Sequence, residues 1–222
     1  MNNFPFSVYD FFGYISAGFL LISAWMYFVK NQLNFTDDLM TNFVFIIIAY
    51  ILGHINAMPS KFFLEDLIVG KVLKKPNINL FNKNRKCWYR LFPGYYKSLP
   101  KKQIDKILTK SKTHQIDEPG ESLFIHAFVR VKSIEDANTR LKSFLNLYGF
   151  CRNISFSLFL IFILIVVLYT KSNDKNLLIW ATLSFFSFIA MFYRYLKFYR
   201  LYSFEIFINY AEHLNQEVQN GD

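Results

Sequence analysis

Four histidines, two cysteines and a cluster of cations among aromatic rings are the side chains of this sequence best suited to chemistry. His54 and Asn56 form the one polar pair inside an apolar run, FVFIIIAYILGHINAM. Polar groups at membrane depth are costly to keep and therefore suspect as functional residues. The plainer reading is a helix end at the interface, closed before Pro59. His126 lies in an apolar helical stretch, where a lone imidazole is generally packed. Cys87 and Cys151 are far apart, with no CxxC spacing and no Cys/His cluster around them, so free thiols are expected rather than a disulfide or a zinc site. Cations and rings alternate at Arg85, Lys86, Trp88, Tyr89, Arg90, Tyr95 and Tyr96. Such a surface can grip single-stranded RNA through phosphate contacts and base stacking. It can equally rest on anionic lipid, with its rings at headgroup depth, and its nearness to the second apolar run favours lipid.

No catalytic signature joins these residues. HExxH, GxSxG and the phosphate loop are absent, as is the run of aspartates that metal-dependent lipid transferases need. A HEPN-type RNase places Arg ahead of His in RxxxxH order, and none of His54, His114, His126 and His213 has an Arg in that position. The expectation is a protein without catalytic residues, cofactor or metal.

The elements that must position these residues are apolar to an unusual degree. The chain is 53% hydrophobic and 20% aromatic, with 27 Phe and 14 Tyr among 222 residues, above the ~45–50% apolar content usual for a soluble domain. The apolar residues gather into four runs: Phe11–Val29, Leu39–Met58, Phe150–Thr170 and Leu177–Leu196. Nineteen charge-free residues in the first run would span about 28 Å as a helix, close to the ~30 Å hydrocarbon core. The stretch ahead of it, MNNFPFSVYD, lacks the cations of a signal peptide. Trp25, Tyr27, Trp180, Tyr193 and Tyr195 stand at run ends, as interfacial aromatics do.

The net charge of +9 would invite a nucleic-acid reading, but the positive-inside rule accounts for its placement. Lys61, Lys71, Lys74 and Lys75 follow the second run; Lys132, Arg140, Lys142 and Arg152 flank the start of the third. Arg194, Lys197 and Arg200 follow the fourth as membrane-proximal cations, whereas the two short loops offer only Lys30, Lys171 and Lys175. The expected protein is all-α: four transmembrane helices, a helical cytoplasmic region between spans two and three, and a C-terminal cytoplasmic helix. Its divisions are 1–58, 59–149, 150–196 and 197–222, with both termini in the cytoplasm.

Within 59–149, Pro59 should break the second helix, and KFFLEDLIVGKVL should form a helix on the inner leaflet or under its own domain. Residues 99–112 form an amphipathic helix with Ile104, Ile107 and Leu108 on one face. Another helix covers Glu121–Lys132. Ser133 and Asp136 have capping-box spacing, opening a helix from Ile134 that reaches the third span with Gly149 as its one interruption. Gly13, Gly18 and Gly53 would permit close helix packing. The stretch from Arg194 to Asn215 continues as a helix packed on the middle region.

Three stretches, PFSVYDFFGY (5–14), FLNLYGFCRN (144–153) and FYRYLKFYRLYSFEIF (192–207), resemble small multi-span membrane proteins of bacterial anti-phage loci. The resemblance is to the accessory membrane protein of type VI-B CRISPR systems, the four-span member of the Csx group. It implies a non-enzymatic accessory protein of the bacterial inner membrane that modulates RNA-guided RNA interference, with membrane lipid and an RNA-guided nuclease complex or RNA as partners. Two alternatives stand beside it. A pore-forming effector would act as a homo-oligomer with the His54/Asn56 end lining the pore; a lipid-modifying enzyme is the third.

Overall fold

The computed structural model describes residues 8–29, 39–82, 87–116 and 119–219, with side chains over 11–29, 39–82, 88–116 and 119–212. Among these there is no strand. The helices are α1 (Val8–Phe28), α2 (Leu39–Ser60), α3 (Pro76–Asn79), α4 (Lys101–Lys112), α5 (Glu121–Lys132), α6 (Glu135–Ser172) and α7 (Lys175–Gln219), with a π-helical stretch at Lys61–Leu73 and a 3₁₀ turn at Cys87–Tyr89. Four helical segments are long and apolar enough to cross a membrane. At 38 and 45 residues, α6 and α7 are about 57 and 67 Å long, about twice what a bilayer core requires.

The chain divides into two units. The first comprises the described residues of Met1–Ile68 and Asn146–Tyr195. Its α2 is built inside out relative to a helix of a water-soluble protein. The buried face is Ala49, Gly53, Asn56 and Ser60, while Phe43, Val44, Ile46, Ile47, Ile48, Ile51 and Ile55 are exposed. In water that arrangement would forfeit most of the burial energy of the branched side chains. In lipid it is the expected one, because helices associate through small residues that let backbones approach. Gly18 of α1 and Gly53 of α2 make that approach. A Cβ on Gly18 would fall on the Ala49 carbonyl, and one on Gly53 on the Tyr14 carbonyl. Gly13 differs from the expectation: a Cβ there would meet Phe150 at an ordinary 3.6 Å. A patch of Ala24, Ile161, Ile165 and Ala181 joins α1, α6 and α7.

Pro59 does not break α2. The helix runs through it to Ser60 and widens directly into the π-helical stretch. Proline removes one backbone donor, and a shift to i→i+5 bonding absorbs such an interruption within a helix. Leu64, Val69 and Leu73 are buried along it, and their spacing of five and then four residues follows the wider turn. The stretch ends where Lys74 adopts φ 64°, the left-handed conformation that commonly stops a helix.

The second unit comprises the described residues of Val69–Leu145 and Leu196–Asp222. Leu80, Leu99, Ile104, Ile107, Leu123, Ala127, Val131, Ala137 and Leu141 close around Ile206, Phe207, Tyr210 and Ala211 of α7. The far end of α7 is thus core to this unit. The amphipathic α4 contributes Ile104 and Ile107 and keeps Lys101, Lys102, Lys106 and Lys112 outside. Two local expectations need correction. Ser133 caps no helix start: its hydroxyl turns back to the Arg130 carbonyl at 2.7 Å and closes α5. Nor does Gly149 interrupt α6, which passes through it unbroken.

Candidate functional site

The polar groups of the first unit converge on one buried cluster. Asn56 lies on the packed face of α2, and its Nδ2 donates to the Asn153 carbonyl and to Ser157 Oγ on α6, each at 3.1 Å. Ser157 Oγ donates onward to the Ala17 carbonyl of α1 at 3.2 Å. Ser60, one turn beyond Asn56, shares its proton between Asn153 Oδ1 at 2.8 Å and the Ala57 carbonyl at 2.9 Å. Asn56 with Ser60, and Asn153 with Ser157, each recur at i and i+4, so each pair occupies one helix face. On the other side of α6, Ser155 Oγ donates to the Phe188 carbonyl and Ser184 Oγ of α7 donates to the Leu158 carbonyl, at 3.3 and 2.9 Å.

The cluster ends in an ion pair. Arg152 Nη1 lies 2.7 Å from Glu65 Oε2, with side chains only 12% and 13% exposed. Arg152 Nη2 reaches Asn153 Oδ1 at 3.5 Å. Two buried atoms, Asn56 Oδ1 and Arg152 Nε, have no hydrogen-bond partner among the described residues. The chemistry of this set is cohesive: neutral donors aimed at helix carbonyls and one compensated charge pair, tying four helices together.

His54 does not join it. Two residues from Asn56 on a helix is the opposite side, and His54 is exposed, stacked on Tyr14 with ring centroids 3.9 Å apart and edge-on to Tyr50 at 4.5 Å. The expected His54/Asn56 pair is therefore two separate features. Asn153, Ser157, Ser60 and Glu65 are the residues that sequence reasoning missed. Their signal was the matched four-residue spacing of Asn/Ser on two apolar helices.

In the second unit the basic, aromatic stretch separates in the same way. Tyr95 and Tyr96 are buried, donating to the Lys74 and Leu73 carbonyls at 2.7 and 3.0 Å. Asn79 Nδ2 donates to both carbonyls, at 2.9 and 3.1 Å. These side chains satisfy the carbonyls left open at the π-helical end. Trp88 and Arg90 remain exposed; Arg85 and Lys86 lie outside the described residues. The cations expected near the membrane also divide. Arg200 donates Nε and Nη2 to the Lys97 carbonyl at 3.2 and 2.8 Å and stacks over Phe204. Arg152 is ion-paired, Arg194 sits beside the buried Cys151 thiol, and Lys197 is exposed.

His126 packs edge-on to Tyr210 at 5.7 Å and lies 4.7 Å from His114. Its Nε2 and the Tyr210 hydroxyl are buried with no hydrogen-bond partner among the described residues. Burial, then the neighbouring His114 and Arg130, pull the His126 imidazole below its usual value, and burial pushes the Tyr210 phenol up. Among the described residues no group of three or more His, Cys, Asp and Glu could hold a metal. Comparison with known protein families, characterised proteins and solved structures finds no match for this chain.

Proposed function

We propose that this chain is a non-enzymatic accessory protein of bacterial antiviral defence, anchored in the inner membrane and modulating RNA-guided RNA interference. In this reading both termini and the helical unit of 69–145 and 196–222 are cytoplasmic. The observation that carries the membrane assignment is the inverted α2, with small and polar residues inside and isoleucines outside. Orientation is supported by the cations that flank 59–149 against the few in the short loops. The non-enzymatic reading is supported by the engagement of Asn56, Ser60, Asn153 and Ser157 with one another and with helix carbonyls. The defence assignment is supported by the resemblance of 5–14, 144–153 and 192–207, and a partner-binding role by the exposed lysines of α4 around a self-contained core.

The test is phage plating on cells carrying an RNA-guided RNA nuclease with a matching guide, with and without this chain. A change of tenfold or more in plating that needs both components is expected; identical plating would refute the assignment. A pore-forming oligomer is the second reading, favoured by one observation: His54 with Tyr14 and Tyr50 lies on the outer face of α1 and α2. Dye entry into expressing cells that is lost in His54→Leu would select it.

A further inference from the structure

An apolar groove in the first unit, of about 410 Å³, lies between α1 and α7 and is floored by α6. Leu20 and Ala24, Leu158 and Ile161, and Leu183 and Ser187 line it. It shares Tyr27, Phe28 and Trp180 with a second cavity of about 620 Å³, where Lys171, Ser172, Asp174 and Asn176 join Leu168 and Leu177 in a mixed wall. The two form one amphipathic recess, oily below and charged at the mouth. From Leu158 to Lys171 along α6 is about 20 Å, half of the ~40–45 Å that a bilayer measures with its headgroups. Its depth therefore matches one leaflet, and Tyr27 and Trp180 stand at the waist where interfacial rings belong.

The groups at the mouth differ in availability. The Asp174 carboxylate accepts the Asn176 amide at 2.9 Å and so caps α7. Ser172 Oγ donates to the Leu168 carbonyl at 3.1 Å. Lys171 has no ion-pair partner among the described residues. We propose that this recess is a binding site for a single glycerophospholipid, with one acyl chain in the groove and the phosphate on Lys171. Volume and depth match: both cavities fall in the ~300–1,000 Å³ range of small-molecule sites. An ammonium outside any ion pair at the bilayer surface attracts a phosphate; the Asp174 carboxylate of the same wall, which opposes it, is already engaged by the Asn176 amide. The inference needs only that the four helices span a membrane. It is independent of any role in defence.

The test uses the full chain in nanodiscs, in a Trp25→Phe, Trp88→Phe background that leaves Trp180 as the one tryptophan. Phosphatidylglycerol brominated on its acyl chains is titrated into unlabelled lipid, and quenching of Trp180 is read against mole fraction. A site gives quenching that saturates at low mole fraction. Ser187→Phe, which fills the groove, should return the curve to the random-mixing line. Lys171→Gln, at an exposed residue with no packing role, should raise the half-quenching fraction about fivefold and abolish the preference for brominated phosphatidylglycerol over brominated diacylglycerol. Quenching linear in mole fraction and unchanged by either substitution would mean bulk lipid contact and overturn the proposal. Should Ser187→Phe fail to fold, the Lys171→Gln comparison decides alone.

Discussion

Neutralising Glu65 alone should destabilise the protein far more than removing the Glu65–Arg152 pair as a whole. The two side chains meet at 2.7 Å, and nearly nine-tenths of each is withdrawn from solvent. Two unit charges about 4 Å apart attract by about 4 kcal/mol at an effective dielectric of about 20. Most of that attraction only offsets the cost of bringing both charges out of water. Glu65→Gln removes the attraction and keeps the Arg152 burial cost, so the expected loss is about 3–5 kcal/mol. Arg152 Nε already lacks a partner among the described residues, which leaves the stranded guanidinium little to turn to. Glu65→Leu with Arg152→Met removes both burial costs together and should fall within about 1–2 kcal/mol of wild type. The assay is unfolding of purified protein in a mild detergent, followed by far-UV circular dichroism on Glu65→Gln and on the cycle of wild type, Glu65→Leu, Arg152→Met and the Glu65→Leu, Arg152→Met double mutant. Additive single-site losses, or a Glu65→Gln protein as stable as wild type, would refute the reasoning that these charges are a sealed pair.

Three further outcomes follow from the packing. Gly18→Val and Gly53→Val should each cost at least about 2 kcal/mol by forcing a side chain onto facing backbone, while Gly13→Ala should be close to neutral in the same melt. Lys74→Gly should raise stability by about 1 kcal/mol, because Lys74 sits at φ 64° where a Cβ is unfavourable; Tyr96→Phe should lower it by about 1 kcal/mol through loss of the Leu73 cap. For His126 the sign is that of a depressed histidine: folding favours the neutral ring, so stability is full above the unfolded value near ~6.5 and falls as pH drops below it. His114, Arg130 and Tyr210 are the groups that face it, and His126→Phe should flatten the loss seen in melts between neutral and mildly acidic pH.

Lipid selects composition, and composition is what a sequence displays most openly. For that reason FVFIIIAYIL and ISFSLFLIFILIVVLY announce their helices, and the 3.6-residue period places α4 and α5 within a residue or two. Decisions made by partners were not visible in the same way. Ser133 could bond forward to open α6 or backward to close α5, and only the chain's path shows that it does the latter. Pro59 breaks an isolated helix, yet the widened turn beyond it carries the chain on. Tyr95 and Tyr96 resemble a stacking surface until the left-handed Lys74 exposes carbonyls for them to cap. The four-helix polar cluster was half legible: Asn56 stood out for its burial cost, while Asn153 and Ser157 acquire meaning only when they are seen to face it.

The central claim is a four-span protein whose helical unit and termini share the cytoplasmic side. Single cysteines introduced in a Cys87→Ser, Cys151→Ser background test it directly: Thr109→Cys on α4, and Asn173→Cys between α6 and α7. Spheroplasts are treated with a membrane-impermeant maleimide before and after lysis. The account predicts that Asn173→Cys is labelled in intact spheroplasts and Thr109→Cys only after lysis. Labelling of Thr109→Cys in intact spheroplasts, or of both sites alike, would contradict it.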